Sequence, residues 1–310
     1  MKNNIYIYLF ACLFGLSACK RDEVFEKEQY KNVFALISEN ADNVLQRFHD
    51  MEQPESTGYI SASMGGTNPT AKTVTIQLAE DFSLLEEYNI AQYDVDVSKY
   101  YRPMPADKYD IESTTLVIPA GEIGGKIPLR IRPEGLSPDS GYFLAFRVVS
   151  FDACEINPEK SYLLYRVRIK NRWADGDGST NYTMRGKLKI GTSEIEVPGV
   201  KIMMPISKNQ VRVMAGNELY ESNIITLRRG ALVLEINEDY TVKIKPYANL
   251  SLTQMDDDPE YPNTFFVEDD GFKTYKTFLL HYKYTFQGTE KEIKEELRLE
   301  FNKKQDDYEW

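Results

Sequence analysis

Leu136-Ser137-Pro138-Asp139-Ser140-Gly141-Tyr142 is a turn that runs directly into a strand. Pro, Asp, Ser and Gly are the residues that bend a chain. The following Tyr142 to Val149 is rich in the aromatic and β-branched side chains that suit a pleated surface. A Leu-x-Pro-x-x-x-Tyr spacing at the mouth of a strand has the form of a tyrosine corner, in which the phenol reaches back to upstream backbone and pins a connection between two sheets. Tyr142 is therefore read as a structural marker and not as a ligand contact.

Working outward, period-two alternation recurs on both sides of this turn. Val74, Ile76 and Leu78 alternate with Thr73, Thr75 and Gln77, and Tyr93, Val95 and Val97 repeat the period. Ile127, Leu129 and Ile131 alternate with Lys126, Arg130 and Arg132; Leu163, Tyr165, Val167 and Ile169 alternate with Arg166, Arg168 and Lys170. Such runs, bounded by Gly, Pro and Asp, are the mark of half-buried antiparallel strands. Tyr30 to Met51 is ambiguous, because its apolar spacing also fits a helix. Residues 30–171 are expected to form an immunoglobulin-like β-sandwich.

Asn171 to Asn181 breaks every periodicity, which places a linker at 172–181. Its Asp-rich run is not an EF-hand. Counted from Asp175, the positions that need Gly and Glu hold Thr180 and Gly186. Strands then return at Arg185–Ile190, Glu194–Val197, Lys201–Met204, Gln210–Val213, Ala231–Ile236, Tyr240–Lys245, Lys273–Phe286 and Glu290–Phe301. Short turns joining them predict an antiparallel meander β-barrel, calycin-like, over 182–304, with a tail at 305–310. The fold class is thus all-β, and the barrel interior is sized for a small ligand or for side chains alone.

At the other end, Ile5 to Leu16 is apolar but too short to span a bilayer. It runs into Leu16-Ser17-Ala18-Cys19, which resembles the bacterial lipobox. Residues 1–18 are read as a lipoprotein signal peptide, Cys19 as the lipid attachment site, and 19–29 as a tether. Two or three acyl chains on one residue give stable membrane attachment. Cys12 leaves with the leader, so Cys154 has no partner for a disulfide.

Forty-eight acids against 37 bases give a net charge of −11, which excludes a nucleic-acid partner. The two histidines, His49 and His281, fall in different domains, and no nucleophile elbow, phosphate loop, dinucleotide fingerprint or zinc helix is present in the sequence. The chain reads as a non-enzyme with no cofactor and no metal. Sugar binding needs flat aromatic faces beside hydrogen-bonding groups. Outside the strand patterns, the candidate glycan contacts are Trp173, Tyr261, Phe265 and Trp310, with Tyr100, Tyr101, Tyr182 and Phe266 as further aromatics.

Several stretches are similar to one known N-terminal domain: Ile60 to Gly66, Leu84 to Asn89, Tyr109 to Glu122, Leu136 to Tyr142 and Ser161 to Asn171. It belongs to Bacteroidetes cell-surface lipoproteins encoded in glycan-uptake loci. Phe278 to Gly288 with Ile293 to Leu299 resembles the closing strands of the C-terminal domain often paired with it. Both domains are of unknown function. The resemblance makes Tyr30 to Ile37 a first strand, whereas Tyr100-Tyr-Arg-Pro-Met-Pro105 departs from the Leu-Pro pair that relatives often carry there. It implies a lipid-anchored outer-membrane protein facing the cell exterior. Such a protein binds polysaccharide or oligosaccharide beside an outer-membrane transporter complex. The alternative that it leaves open is a protein-binding adhesin or scaffold.

Overall fold

The computed structural model describes residues 33–65, 69–152, 155–308 and 310. Cys19, the leader, the tether and Cys154 lie outside the described residues. Among these residues no helix is long and apolar enough to cross a membrane.

The alternating segments pair into two sheets facing each other across one apolar core. The first has the order Glu155–Ile156, Val33–Leu36, Ser56–Met64, Gly124–Ile131, Tyr109–Ile111. The second runs Val44–Asp50, Tyr162–Lys170, Tyr142–Phe151, Val74–Glu80, Thr115–Ile118, with Arg102–Pro103 added beside Tyr142–Phe151. Among its described residues, the ambiguous stretch after Tyr30 therefore holds two strands and no helix. Ile76, Leu78, Leu129, Ile131, Leu163 and Val167 meet in the core as their period predicts.

One alternation misleads. Tyr93, Val95 and Val97 do not continue a strand, because Ser83–Tyr93 is an α-helix and Val95 is 85% exposed. The helix ends where Asp94 turns to φ 49° and its N–H reaches Ile90 O. Leu84 and Leu85 instead cover Val44, Phe143, Ala145 and Leu164 on the outer face of the second sheet. That cover explains why Leu163, Leu164 and Tyr165 are buried in succession.

The Leu136–Tyr142 turn folds as expected but not for the expected reason. Leu136 is buried and Tyr142 packs half-buried against the core, yet among the described residues the phenol makes no hydrogen bond to upstream backbone. Gly141 is required by contact: a Cβ there would lie 2.2 Å from the Tyr101 ring. Asp139 points out of the turn toward the other domain. Its carboxylate accepts from both terminal nitrogens of Arg212, at 2.5 and 2.6 Å, and Arg212 is 1% exposed. Burial works against that guanidinium, but the Asp139 hydrogen bonds and charge outweigh it and hold the Arg212 pKa above its usual value.

The C-terminal strands form two curled half-barrel sheets. One has the order Ser193–Ile202, Asn181–Ile190, Thr289–Phe301, Thr274–Phe286, Ser251–Gln254, and Thr264–Asp269 also pairs with Thr274–Phe286. The other runs Met204–Ser207, Gln210–Met214, Ala231–Ile236, Val242–Pro246, and an isolated bridge, Thr241 to Thr264, stitches the two. The long closing hairpin turns at Gln287 and Gly288, both at positive φ (51° and 80°), as a tight two-residue hairpin turn requires. Side chains fill the interior, with Tyr182, Phe278, Tyr282, Ile293 and Leu297 at its centre.

Candidate functional site

The structure brings three of the four candidate aromatics together and buries two of them. Thr264–Asp269 is not a loop but a strand, in which Phe265 pairs opposite Phe278 and turns inward. Phe265 is 2% exposed and Trp173 6%. Their rings meet edge-to-face at 6.0 Å, and Trp310 packs on Phe265 at 5.7 Å. Phe265 is thus a core residue with no free ring face, contrary to its reading as a loop contact. Tyr261 stands apart, half-buried, where burial and neighbouring acids push its phenol pKa up.

Trp173 is fixed by Asn171, whose amide is fully used. Its oxygen accepts from Trp173 N at 3.1 Å and Ala174 N at 3.0 Å. Its nitrogen donates to Ser207 O at 2.8 Å and Gln210 O at 3.0 Å. Tyr182 donates to Trp173 O at 3.0 Å. The segment that sequence marks as a turn-rich linker is therefore pinned into the C-terminal domain, and it orients Arg172 and Trp173 at the seam.

A cleft of about 560 Å³ opens there, within the range of small-ligand sites. Tyr240 supplies an exposed ring above the buried Trp173, Asn209 and Asn237 supply amides, and Glu52 and Glu238 carboxylates. Arg172 closes one side through a two-pronged pair with Glu52, Nε to Oε1 at 2.8 Å and Nη2 to Oε2 at 3.1 Å. Donating these hydrogen bonds to Glu52 raises the Arg172 pKa, so the guanidinium stays charged. The guanidinium also lies over Trp310 at 5.2 Å and Tyr308 at 5.4 Å.

Tyr240 is the residue that sequence reasoning missed. It sits at φ 63° and is 41% exposed. A left-handed aromatic residue is strained by roughly 1–3 kcal/mol and persists only where the surroundings force it. Here its N–H donates to Asn237 O at 2.9 Å while its carbonyl accepts from Phe265 N at 2.9 Å. The only signal in sequence was its place directly after the Asn237-Glu-Asp239 turn. Chemically, this cleft can stack on the apolar face of a polyol ring and exchange hydrogen bonds with its hydroxyls.

Family models and solved structures align with this architecture. A family model for an N-terminal domain matches residues 25–153, and its C-terminal counterpart matches 161–299. A Bacteroides ovatus structure of unknown function shares 16% identity at TM-score 0.63, over 90% of this chain and all of that one. A Bacteroides thetaiotaomicron auxiliary nutrient binding protein shares 17% at TM-score 0.61, over 85% of this chain and 93% of that one. A second Bacteroides ovatus protein of unknown function shares 15% at TM-score 0.61, over 91% and 97%. At these identities the likeness is one of fold. No curated protein matches the chain. With its N- and C-terminal models matched in order over most of its length, the chain belongs to the two-domain family that those models describe.

Proposed function

We propose that this protein is a non-catalytic accessory of a nutrient-uptake system, held at the outer membrane by acylated Cys19 and capturing saccharide in the cleft between its domains. The observation that carries the reading is the cleft under Tyr240, where one exposed ring stands beside two amides and two carboxylates. The strained Tyr240 supports it, since strain concentrates at ligand sites. A fold shared with an auxiliary nutrient binding protein supports the uptake setting. Calorimetric titration with a panel of neutral oligosaccharides tests it. Tyr240→Ala is expected to weaken binding about tenfold or more, the loss of one stacking contact. Silence across the panel, or binding that Tyr240→Ala leaves intact, overturns the site. An unmodified Cys19 in the native protein by mass spectrometry overturns the anchoring.

A further inference from the structure

The half-buried and buried cations of this acidic chain nearly all stand against a carboxylate: Arg172 on Glu52, Lys201 on Glu295, Arg212 on Asp139, Lys276 on Asp306 and Lys291 on Glu218. Arg166 and Arg168 do not. They are two residues apart on Tyr162–Lys170 and so project from the same outer face of the sandwich. Among the described residues, every hydrogen bond they make goes to a neutral oxygen. Arg166 Nη2 donates to the Tyr101 hydroxyl at 3.3 Å. Arg168 donates to the Gln46 amide oxygen and the Gly176 carbonyl, both at 3.3 Å. These are long contacts for charged donors. Arg166 Nε is buried with no acceptor among the described residues.

The two guanidiniums are also held against each other. Burial first, then the Arg166 charge, keeps the Arg168 pKa below its ordinary value, and the Asp177 charge offsets part of this. Arg166 is fixed in place by aromatic faces, 4.7 Å over Tyr101 and 5.6 Å over Phe143. Two like charges on one face of the sheet, neither paired with a carboxylate among the described residues, call for an oxyanion to complete the arrangement.

What surrounds the pair suits a sugar. Tyr88 stacks on Tyr101 with centroids 5.9 Å apart, and Tyr93 donates to the Tyr101 hydroxyl at 2.7 Å. Tyr88 also lines a neighbouring cleft of about 250 Å³ with Asp42, Glu87, Gln92 and Tyr162, which offer acceptors and an amide to hydroxyls. We propose that Arg166 and Arg168 form a second saccharide subsite, one that takes the carboxylate or sulfate ester of an acidic glycan while Tyr88 faces its ring.

This inference rests on the saccharide reading above and adds a charge requirement to it. The test compares matched pairs on the full chain by calorimetry: an oligogalacturonate against its methyl ester, and a sulfated oligosaccharide against its desulfated form. At least one charged member is expected to bind roughly tenfold more tightly than its neutral partner, and added salt is expected to erase the difference. Which pair shows the preference identifies carboxylate or sulfate as the anion. Arg168→Gln and Arg166→Gln/Arg168→Gln are expected to abolish the preference, whereas Tyr240→Ala leaves it in place. Melting curves accompany each variant, and Arg168→Gln decides alone if the double variant does not fold. Equal affinity for charged and neutral members overturns the subsite, as does a preference that survives in a folded Arg168→Gln protein. Vesicles containing phosphatidylglycerol provide the other arm. Arginine-dependent binding to them without any oligosaccharide preference reassigns the pair to a membrane surface and overturns the subsite. Neutral binding that is lost on Tyr240→Ala, with no charge preference, sinks this inference alone.

Discussion

The two domains alternate apolar and polar residues along their strands in the same way, yet they fill their interiors differently. The sandwich core is built from Phe34, Ile60, Ile76, Leu116, Leu129, Leu144 and similar side chains, with His49 and Tyr165 as a polar interruption. The barrel core surrounds a buried ion pair. Lys201 Nζ lies 2.5 Å from Glu295 Oε2, and both are shut off from solvent. Tyr282 donates to the other Glu295 oxygen at 2.7 Å and accepts from Gly216 N at 2.7 Å. Lys201 and Glu295 sit on strands separated in the sheet by Asn181–Ile190. A pair of this kind fits only one register, whereas apolar side chains tolerate repacking. The sandwich thus relies on burial, and the barrel adds polar specificity to it.

The largest expected effect breaks that contrast directly. Lys201→Met or Glu295→Leu alone leaves an uncompensated buried charge and is expected to destabilise by about 3–5 kcal/mol in urea unfolding. The double variant Lys201→Met/Glu295→Leu is expected to recover most of this, because it buries no charge. Burial already holds the Lys201 pKa below its usual value, which is the desolvation cost the pair must offset. If either single variant unfolds like wild type, the two cores are energetically alike and the contrast fails.

The sandwich's own polar interruption gives the next effect, and it is visible only in acid. His49 bonds Ser56 Oγ through Nδ1 and Tyr165 through Nε2, both at 3.1 Å. Burial, with a smaller push from Arg47, lowers its pKa from 6.5 to about 4. The unfolded chain therefore binds a proton that the folded chain refuses between those values. Stability is constant above pH 6.5, falls as pH drops toward 4, and levels below it. The full loss is roughly 3 kcal/mol at 1.4 kcal/mol per pKa unit. His49→Gln is expected to flatten this window in pH-dependent denaturation, with the carboxylate titrations at lower pH retained. A wild-type curve without a slope between pH 4 and 6.5 assigns the acid sensitivity elsewhere.

Much of this molecule was legible from period alone. Val74, Ile76, Leu78, Ile127, Leu129 and Ile131 declare both the strands and the face that each buries. Gln287-Gly288 declares the closing hairpin. What stayed hidden has identifiable causes. Tyr93, Val95 and Val97 imitate a strand because the end of a helix and an extended exit happen to share the alternation. Phe265 lies in a strand whose acidic surroundings read as loop, so its burial opposite Phe278 is invisible without the pairing. Trp173 was recognised but not its depth, which depends on the Asn171 amide. Tyr240 and the Arg166–Arg168 pair carry no local signature, since a positive φ and a missing counter-ion are properties of the folded chain. The opening motif shows the same limit: Tyr142 marks the turn, but the bond that matters there belongs to Asp139.

That bond joins the two regions and gives the smallest of these effects. Asp139 is partly solvated while Arg212 is not, so removing the carboxylate strands a buried cation. The Arg212 guanidinium also lies 4.9 Å over Tyr247, which retains part of its stabilisation. Asp139→Ala is therefore expected to cost about 2 kcal/mol, near the range for hydrogen bonds to charged groups and below that of the barrel pair. The cost falls on the joint and on neither core. Arg172–Glu52 and the Asn171 amide still hold the seam, so calorimetry is expected to show one broadened or split transition, not a collapse. An unchanged single sharp transition means that the seam is held by its apolar contacts and that the turn of Leu136–Tyr142 serves the sandwich alone. A clean split means that each interior melts on its own terms, the sandwich by burial and the barrel by its charges, with Asp139 as the coupling between them.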